Sequence, residues 1–377
     1  MQRSLARLGA RVGDPVVAVP TPALVIDLDA MERNLEAMAV FASSHGIRLR
    51  PHAKMHKSAA LAKAQIAAGA VGVCVQKLSE AEVLADAGIT DIFISNEVID
   101  EAKLMRVAAL AGRITLAIAV DSIPGVDRLA LACKAAGSAP SVFVEIDVGQ
   151  GRCGVSPESA GALAKHVVAR GLRFAGLQGY QGGAQHVHGA VEREAAAKSA
   201  ANLVRAAQAS IASEGIACPL VTGGGTGTYV FDATSGVYGE LQAGSYLFMD
   251  GEYADIEQAA HAPRFEPALF VKSQVMSRAA SHVVVDAGIK AYAIDAGLPR
   301  TWRRDLVMTN FGDEHGVLKP SGSGSADLPL LAETVWLVPG HCDPTVNLHD
   351  AYVAVRGGLE RGVVEALWPV DTRGCLI

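Results

Sequence analysis

"SVFVEIDVGQGRCGVSPESAGALAKHVVARGLRFAGLQGY", residues 141–180, carries the pattern from which the architecture follows. Two short apolar runs, "SVFVEIDV" and "LRFAGLQGY", enclose the amphipathic stretch "PESAGALAKHVVARG", which closes on glycine. That order reads as strand, helix, strand, with the glycine ending the helix. Outward from it the same alternation runs from about residue 45 to 245. "IRLRPHA", "GVCVQ", "DIFISN" and "ITLAIAV" precede it, and "CPLVTGG" and "GELQAG" follow. Helix-like stretches such as "SEAEVLADAG" and "SIPGVDRLALACKAAG" lie between most of them. Eight such units predict an α/β fold of the (β/α)8 TIM-barrel type. An open doubly wound sheet is the alternative that periodicity leaves.

After about residue 260 the pattern changes. "ALFVKSQVMSR", "SHVVVDAG", "AETVWLVPG" and "AYVAVRGG" are β-rich and separated by turns, so a second, mainly β domain is expected. The reading places the barrel at 22–260 and the β domain at 1–21 and 261–377. The early strand "ALVIDL" is expected to join the β domain, and the helix "DAMERNLEAMAVFASSHG" to lead into the barrel. "KPSGSGSADLP", residues 319–329, reads as a surface loop.

Abundant apolar residues (50%) with few aromatics (5%) suit helices packed closely on a parallel sheet. A net charge of −6 without a long basic run argues against nucleic acid and anionic membrane as partners. The six cysteines form no CxxC pair, which points to reduced thiols in a cytoplasmic protein. The N-terminal "MQRSLARLGARVGDPVVAVP" has no continuous apolar core, and no later stretch reaches membrane-spanning length, so the chain reads as soluble and unexported.

In a barrel of this kind, polar residues at the C-terminal ends of strands carry the chemistry. "LRPHAKMHKS", residues 49–58, puts Lys54 where the first barrel strand runs out. Lys57 falls at the start of the next helix and is expected to face solvent. "VTGGGTGTY" and "QAGSY" place glycine turns after the last two strands, where backbone N–H groups and threonine hydroxyls make a phosphate cup. A lysine and a phosphate cup facing one mouth point to a phosphorylated aldehyde, pyridoxal 5′-phosphate.

"RPHAKMHKS", "DVGQGRCGV", "GLQGY" and "GGGTGTY…ELQAGSY" together resemble fold-type III pyridoxal-phosphate enzymes, the alanine racemase-like group. The resemblance is to the branch that holds D-threonine aldolases and metal-dependent D-serine dehydratases. It implies that Lys54 carries the cofactor, that Arg152 lies near its phenolic oxygen, and that Tyr180 packs on the pyridine. Gln242 stands where alanine racemases place an arginine facing the ring nitrogen. A neutral amide there can hydrogen-bond that nitrogen without enforcing either protonation state. Gly224, Gly225, Thr226, Gly244 and Ser245 are expected to line the phosphate.

"LVPGHCDPTVNLHD" sets His341 and Asp343 at i and i+2, so on an extended segment both side chains point one way. Nitrogen and carboxylate on one face make half of a metal site. In the related dehydratases the motif reads His-x-Cys and holds zinc; here the carboxylate replaces thiolate, the pattern of the aldolases. That favours manganese, with magnesium, cobalt or zinc as alternatives. "GGAQHVHG" offers His186, and less favourably His188, as a general base; His315 is a weaker candidate for the metal side.

The reaction so implied is reversible cleavage of D-β-hydroxy-α-amino acids to glycine and an aldehyde. A D-serine or D-threo-3-hydroxyaspartate dehydratase and a non-catalytic pyridoxal-phosphate carrier are the other readings. The resemblance also implies a homodimer.

Overall fold

A computed structural model describes residues 8–322 and 328–377. β1 (Ala23–Asp27) precedes the barrel. The barrel strands are β2 (Arg48–Leu49), β3 (Val73–Val75), β4 (Asp91–Ile94), β5 (Thr115–Val120), β6 (Ser141–Glu145), β7 (Arg173–Gly179), β8 (Val221–Gly223) and β9 (Glu240–Leu241). All pair in parallel, in the order β2-β9-β8-β7-β6-β5-β4-β3. A parallel bridge between His52 and Cys74 joins the two ends, so the sheet closes. A doubly wound sheet would leave those ends as free edges, so the barrel is the form present.

Local signals explain the helices between the strands. In the helix Ile123–Ala136, the Ser122 hydroxyl accepts from the Gly125 amide, Pro124 opens the first turn, and Gly137 ends it at φ +70°. Glycine takes that left-handed conformation at little steric cost. The helix Leu28–Ser44 starts on the Asp27 carboxylate and is pinned by buried Asn34, which donates to the carbonyls of Leu247 and Glu266.

The barrel interior holds two kinds of packing. Cys74, Phe93, Ala119 and Phe143 form an apolar plug, with the Phe93 and Phe143 rings 4.9 Å apart. Beside it runs a polar column. Arg50 donates to Glu240 at 3.1 Å, the Thr222 hydroxyl donates to the same carboxylate, and the Gln242 amide donates to Thr222. The column ends at the floor of the mouth.

The second domain adds β10 (Leu269–Arg278), β11 (Val283–Val285), β12 (Arg300–Thr301), β13 (Leu306–Phe311), β14 (Gly316–Pro320), β15 (Thr334–Val338), β16 (Ala351–Arg356) and β17 (Val363–Pro369). With β1 these make one mostly antiparallel sheet. The boundary drawn at residue 22 needs correction. β1 lies inside the span assigned to the barrel, yet it pairs antiparallel with β10 and parallel with β16. Of the expected loop over 319–329, Lys319 and Pro320 end β14, and residues 323–327 lie outside the described residues. All six cysteines are unpaired thiols. Among the described residues no helix is long and apolar enough to cross a membrane.

Phe93 is 1% exposed, so truncation opens a cavity that the closed strand ring cannot collapse around. Phe93→Ala should lower the unfolding free energy by about 3–5 kcal/mol, measured by urea denaturation followed through tryptophan fluorescence.

Candidate active site

A cavity of about 150 Å³ opens at the C-terminal ends of the barrel strands. Lys54, Arg152, Tyr180, His186, Gly225, Thr226, Gln242, Gly244, Ser245, His341 and Asp343 all line it. Residues from five separate barrel strands or their following loops thus meet one segment of the β domain. Gly224 does not line the cavity; it turns the chain behind the cup at φ +73°. A Cβ there would meet the Asp232 carboxylate at 2.6 Å.

Lys54 Nζ lies 3.9 Å from Asp343 Oδ1, so the barrel's lysine and the β domain's carboxylate face each other. Behind Lys54, His52 receives the Lys54 amide on Nδ1, while Nε2 meets Gln76 and Ser95. Burial, and then the Lys54 charge, lower its proton affinity, so His52 is a neutral support. Lys57 does not face solvent as expected. It is 9% exposed, takes φ +54°, and donates from Nζ to Glu80 Oε1 at 2.6 Å. Glu80 also accepts from the Gln76 and Lys77 amides, so this buried pair locks the loop after β2 to the next helix. Local sequence placed Lys57 at a helix start; only the fold brings Glu80 beneath it.

The glycine turns form a cradle that side chains would fill. A Cβ on Gly225 would meet Gln185 Oε1 at 2.5 Å, and one on Gly244 would meet the His52 carbonyl at 2.7 Å. Among the described residues, the amides of Thr226, Gly244 and Ser245 donate to no protein acceptor. Free amides and a hydroxyl converging on a glycine-lined hollow fit a phosphate. Arg152 lies over the Tyr180 ring at 5.6 Å and beside Glu145 at 3.7 Å. Its loop is held by Asp147, which accepts from the Gly149 and Gly151 amides. Those bonds hold the Asp147 carboxyl below its ordinary range.

Gln242 and Gln178 exchange hydrogen bonds, with Gln242 Nε2 donating to Gln178 Oε1 at 2.6 Å and to Thr222 Oγ1 at 2.9 Å. The Thr222 hydroxyl gives its own proton to Glu240, so it accepts from Gln242. Both Gln242 N–H groups are therefore committed. The amide expected to serve a ring nitrogen in either sense offers only its oxygen.

His341 Nδ1 is bound to Asp295 Oδ2 at 2.6 Å, leaving Nε2, 3.6 Å from Asp343 Oδ2, as the nitrogen that could hold a metal. Burial opposes a charged imidazole, but the carboxylates of Asp343, Asp295 and Asp250 outweigh it and raise His341 to about 9. Such a cluster is short of positive charge and fits a divalent cation. Cys342 between the two is fully buried, its sulfur toward the Met249 carbonyl, so it takes no part.

His186 also faces the cavity, with Nδ1 bound to Glu252 Oε1 at 2.8 Å and its ring 5.6 Å from Tyr253. His188 does not line the cavity; its carbonyl accepts from Arg193. His315 is exposed beside the turn between β13 and β14 and does not line the cavity either. Glu252, Asp295 and Asp250 escaped the sequence reading. Asp250 carried a usable signal, as an aspartate directly before a short helix. Asp295 lies 46 residues from His341 and carried none.

Barrel and cavity define an alanine racemase-like protein with an added β domain and a nitrogen–carboxylate pair at its mouth. Residues 26–252 match the alanine racemase N-terminal domain, and residues 268–355 match a putative serine dehydratase domain. The chain belongs to the alanine racemase N-terminal domain family. It is similar to a D-threonine aldolase of an Arthrobacter species, 45% identical over 97% of this chain and 96% of the relative. A 3-hydroxy-D-aspartate aldolase of Paracoccus denitrificans (strain Pd 1222) is 43% identical over 97% of each. A D-threo-3-hydroxyaspartate dehydratase of Delftia sp. (strain HT23) is 31% identical over 91% of this chain and 96% of the relative. Among solved structures, D-threonine aldolase from Filomicrobium marinum superposes with a TM-score of 0.94 at 47% identity, covering 98% of this chain and all of that one.

Behind the cup, burial pushes the Asp232 carboxyl up to about 7, against the lowering effect of the Thr228 hydroxyl. The folded protein then holds a proton that the unfolded chain releases near 3.8. The resulting stability is full below the unfolded value and is lost as pH rises through about 7. Asp232→Asn should therefore match the parent near pH ~4 and gain on it progressively as pH rises, levelling off above ~7 at roughly 4 kcal/mol, in denaturation curves taken across that range.

Proposed function

We propose that this chain is a pyridoxal-phosphate-dependent aldolase that reversibly cleaves D-β-hydroxy-α-amino acids to glycine and an aldehyde. The observation that carries this reading is the 3.9 Å separation of Lys54 Nζ and Asp343 Oδ1. An amino acid held at Lys54 has its β-substituent within reach of the His341–Asp343 pair.

Pyridoxal phosphate would be held by Lys54 through its aldehyde and by Thr226, Gly225, Gly244 and Ser245 through its phosphate, and it supplies an electron sink for a bond broken at Cα. Arg152 and Tyr180 are assigned to the ring's oxygen and face. Gln242, offering Oε1, accepts from a protonated ring nitrogen. His341 and Asp343 would hold a divalent cation, which supplies Lewis-acid stabilisation of negative charge. With nitrogen and oxygen donors and the Cys342 thiol turned into the core, manganese suits the pair.

The protein's own part is to position the substrate and move its proton. His186, its Nδ1 2.8 Å from Glu252 Oε1, is assigned to take the β-hydroxyl proton on Nε2. The Cα–Cβ bond then breaks, the β-carbon leaves as the aldehyde, and Cα gains a proton to become glycine. Dehydration would instead expel the β-oxygen with its electron pair. The relatives named for aldolase activity are the more similar ones, and they favour cleavage. The β-domain pair at the cavity argues against a passive cofactor carrier. A homodimer, with D-threonine or D-3-hydroxyaspartate as substrate, completes the proposal.

D-Threonine should give glycine and acetaldehyde in equal amounts; ammonia with a 2-oxo acid as the only products would reject the aldolase reading. Lys54→Ala should abolish turnover and the yellow absorbance of the loaded protein together. His186→Ala should lower kcat by about 10²- to 10⁴-fold, and Glu252→Gln by a smaller factor with KM little changed. EDTA treatment should stop D-threonine cleavage, and added Mn²⁺ should restore it without further cofactor.

A further inference from the structure

The neighbouring strands of the same barrel carry a second group of metal-type donors, away from the His341–Asp343 pair. Glu97 follows β4, Asp121 follows β5, and Cys153 lies in the loop after β6. One ligand atom from each lies within 4.8 Å of the other two. Donors around a zinc-sized ion stand about 3–4 Å apart, given bond lengths of about 2.0–2.3 Å. The spacing therefore suits a shared cation.

A second observation concerns Glu145, the last residue of β6. It is 3% exposed and lies against Glu97, yet its Oε2 has no hydrogen-bond partner. Glu97 Oε1 is likewise buried and unpartnered. Glu145 and Glu97 face each other, and burial together with the Glu97 charge raises the Glu145 carboxyl to about 9, so a proton or a cation is drawn between them. Orphaned buried oxygens of this kind are costly unless something positive sits among them. Arg152 does not serve, because it approaches the other oxygen, Oε1, at 3.7 Å.

The backbone is shaped to bring the thiol there. Gly154 takes φ +105°, and a Cβ on it would lie 2.4 Å from the Ile146 carbonyl carbon. Its amide donates to Asp121 Oδ2 at 3.3 Å, which draws the Cys153 loop against the end of β5. Only glycine permits that turn.

We propose that Glu97, Asp121 and Cys153, with Glu145 behind them, form a second divalent-cation site in the barrel wall next to Arg152. One sulfur and two or three carboxylates make a borderline donor set, the kind zinc or cobalt(II) occupies, in contrast to the harder His341–Asp343 pair. A cation there neutralises the carboxylate excess and ties the loop bearing Arg152 to β4 and β5. Its role is to position Arg152, which faces the cavity.

The test uses cofactor-loaded enzyme in which the first pair is disabled by His341→Ala/Asp343→Asn. This protein is stripped with chelator, equilibrated with Zn²⁺, desalted, and analysed by plasma mass spectrometry. One zinc per chain should remain, and peptide mapping should show Cys153 reacting with iodoacetamide at least ~10-fold more slowly than in the zinc-free sample. Adding Glu97→Gln/Asp121→Asn should remove both the zinc and the protection. The milder Cys153→Ser should remove the zinc if the double change fails to fold. The proposal is overturned if the doubly disabled protein retains no zinc, if zinc leaves Cys153 alkylation unchanged, or if zinc survives the added substitutions. In those cases a proton shared by Glu97 and Glu145 is what satisfies the pair.

Discussion

The arrangement of the site depends on one buried carboxylate. Asp250, fully enclosed, accepts from the Tyr253 amide with Oδ1 and from the Cys342 amide with Oδ2. The first bond starts the helix Gly251–Asp255 that carries Glu252 to His186; the second fixes the loop that carries His341 and Asp343. The same junction is closed by backbone bonds from Gly251 and Glu252 to the carbonyls of Pro339 and Gly340. His186 and the His341–Asp343 pair, the residues proposed for proton transfer and for a metal, are thus held at their relative positions by one anion. Burial raises its carboxyl to about 6, and the two amides work against that rise.

Beneath the cavity, the barrel is unusual in being polar on one side of its interior. Arg50, Glu240, Thr222, Gln242 and Gln178 form a chain in which each hydrogen-bond direction follows from the one before. A carboxylate accepts only, so the threonine must donate to it, and the glutamine must donate to the threonine. Information about charge at the barrel's closed end reaches the cavity floor as the orientation of one amide. Phe93, Phe143 and their neighbours fill the remaining volume and exclude water from that chain.

Most of the fold was legible because barrel strands and their helices are locally encoded. Apolar runs of strand length alternated with capped amphipathic segments, and all eight expected strands are present. Lys54, the glycine turns and Arg152 were legible because strand ends are where a barrel exposes its chemistry. Of the strands not marked, β12 is a two-residue pairing whose partner β15 is distant in sequence, while β13, β14 and β17 lie in the hairpins β13–β14 and β16–β17, where polar residues interrupt the apolar runs. Lys57 was misread because its partner lies outside its own local stretch. A lysine beside a helix start looks solvent-facing until Glu80 is seen below it.

By itself the sequence determined the barrel, the second β-rich domain, and the residue types available for a lysine, a phosphate cup and a nitrogen–carboxylate pair. Each of these is written in a contiguous stretch, where periodicity, turn residues and strand alternation act over a few residues. Tertiary structure alone decided which of them share a cavity, which nitrogen of His341 is free, which atom Gln242 presents, and that Glu97, Asp121, Glu145 and Cys153 meet. Those outcomes rest on contacts between segments tens to hundreds of residues apart. Their geometry is set by closure of the strand ring and by the docking of the β domain at its mouth, neither of which a local pattern contains.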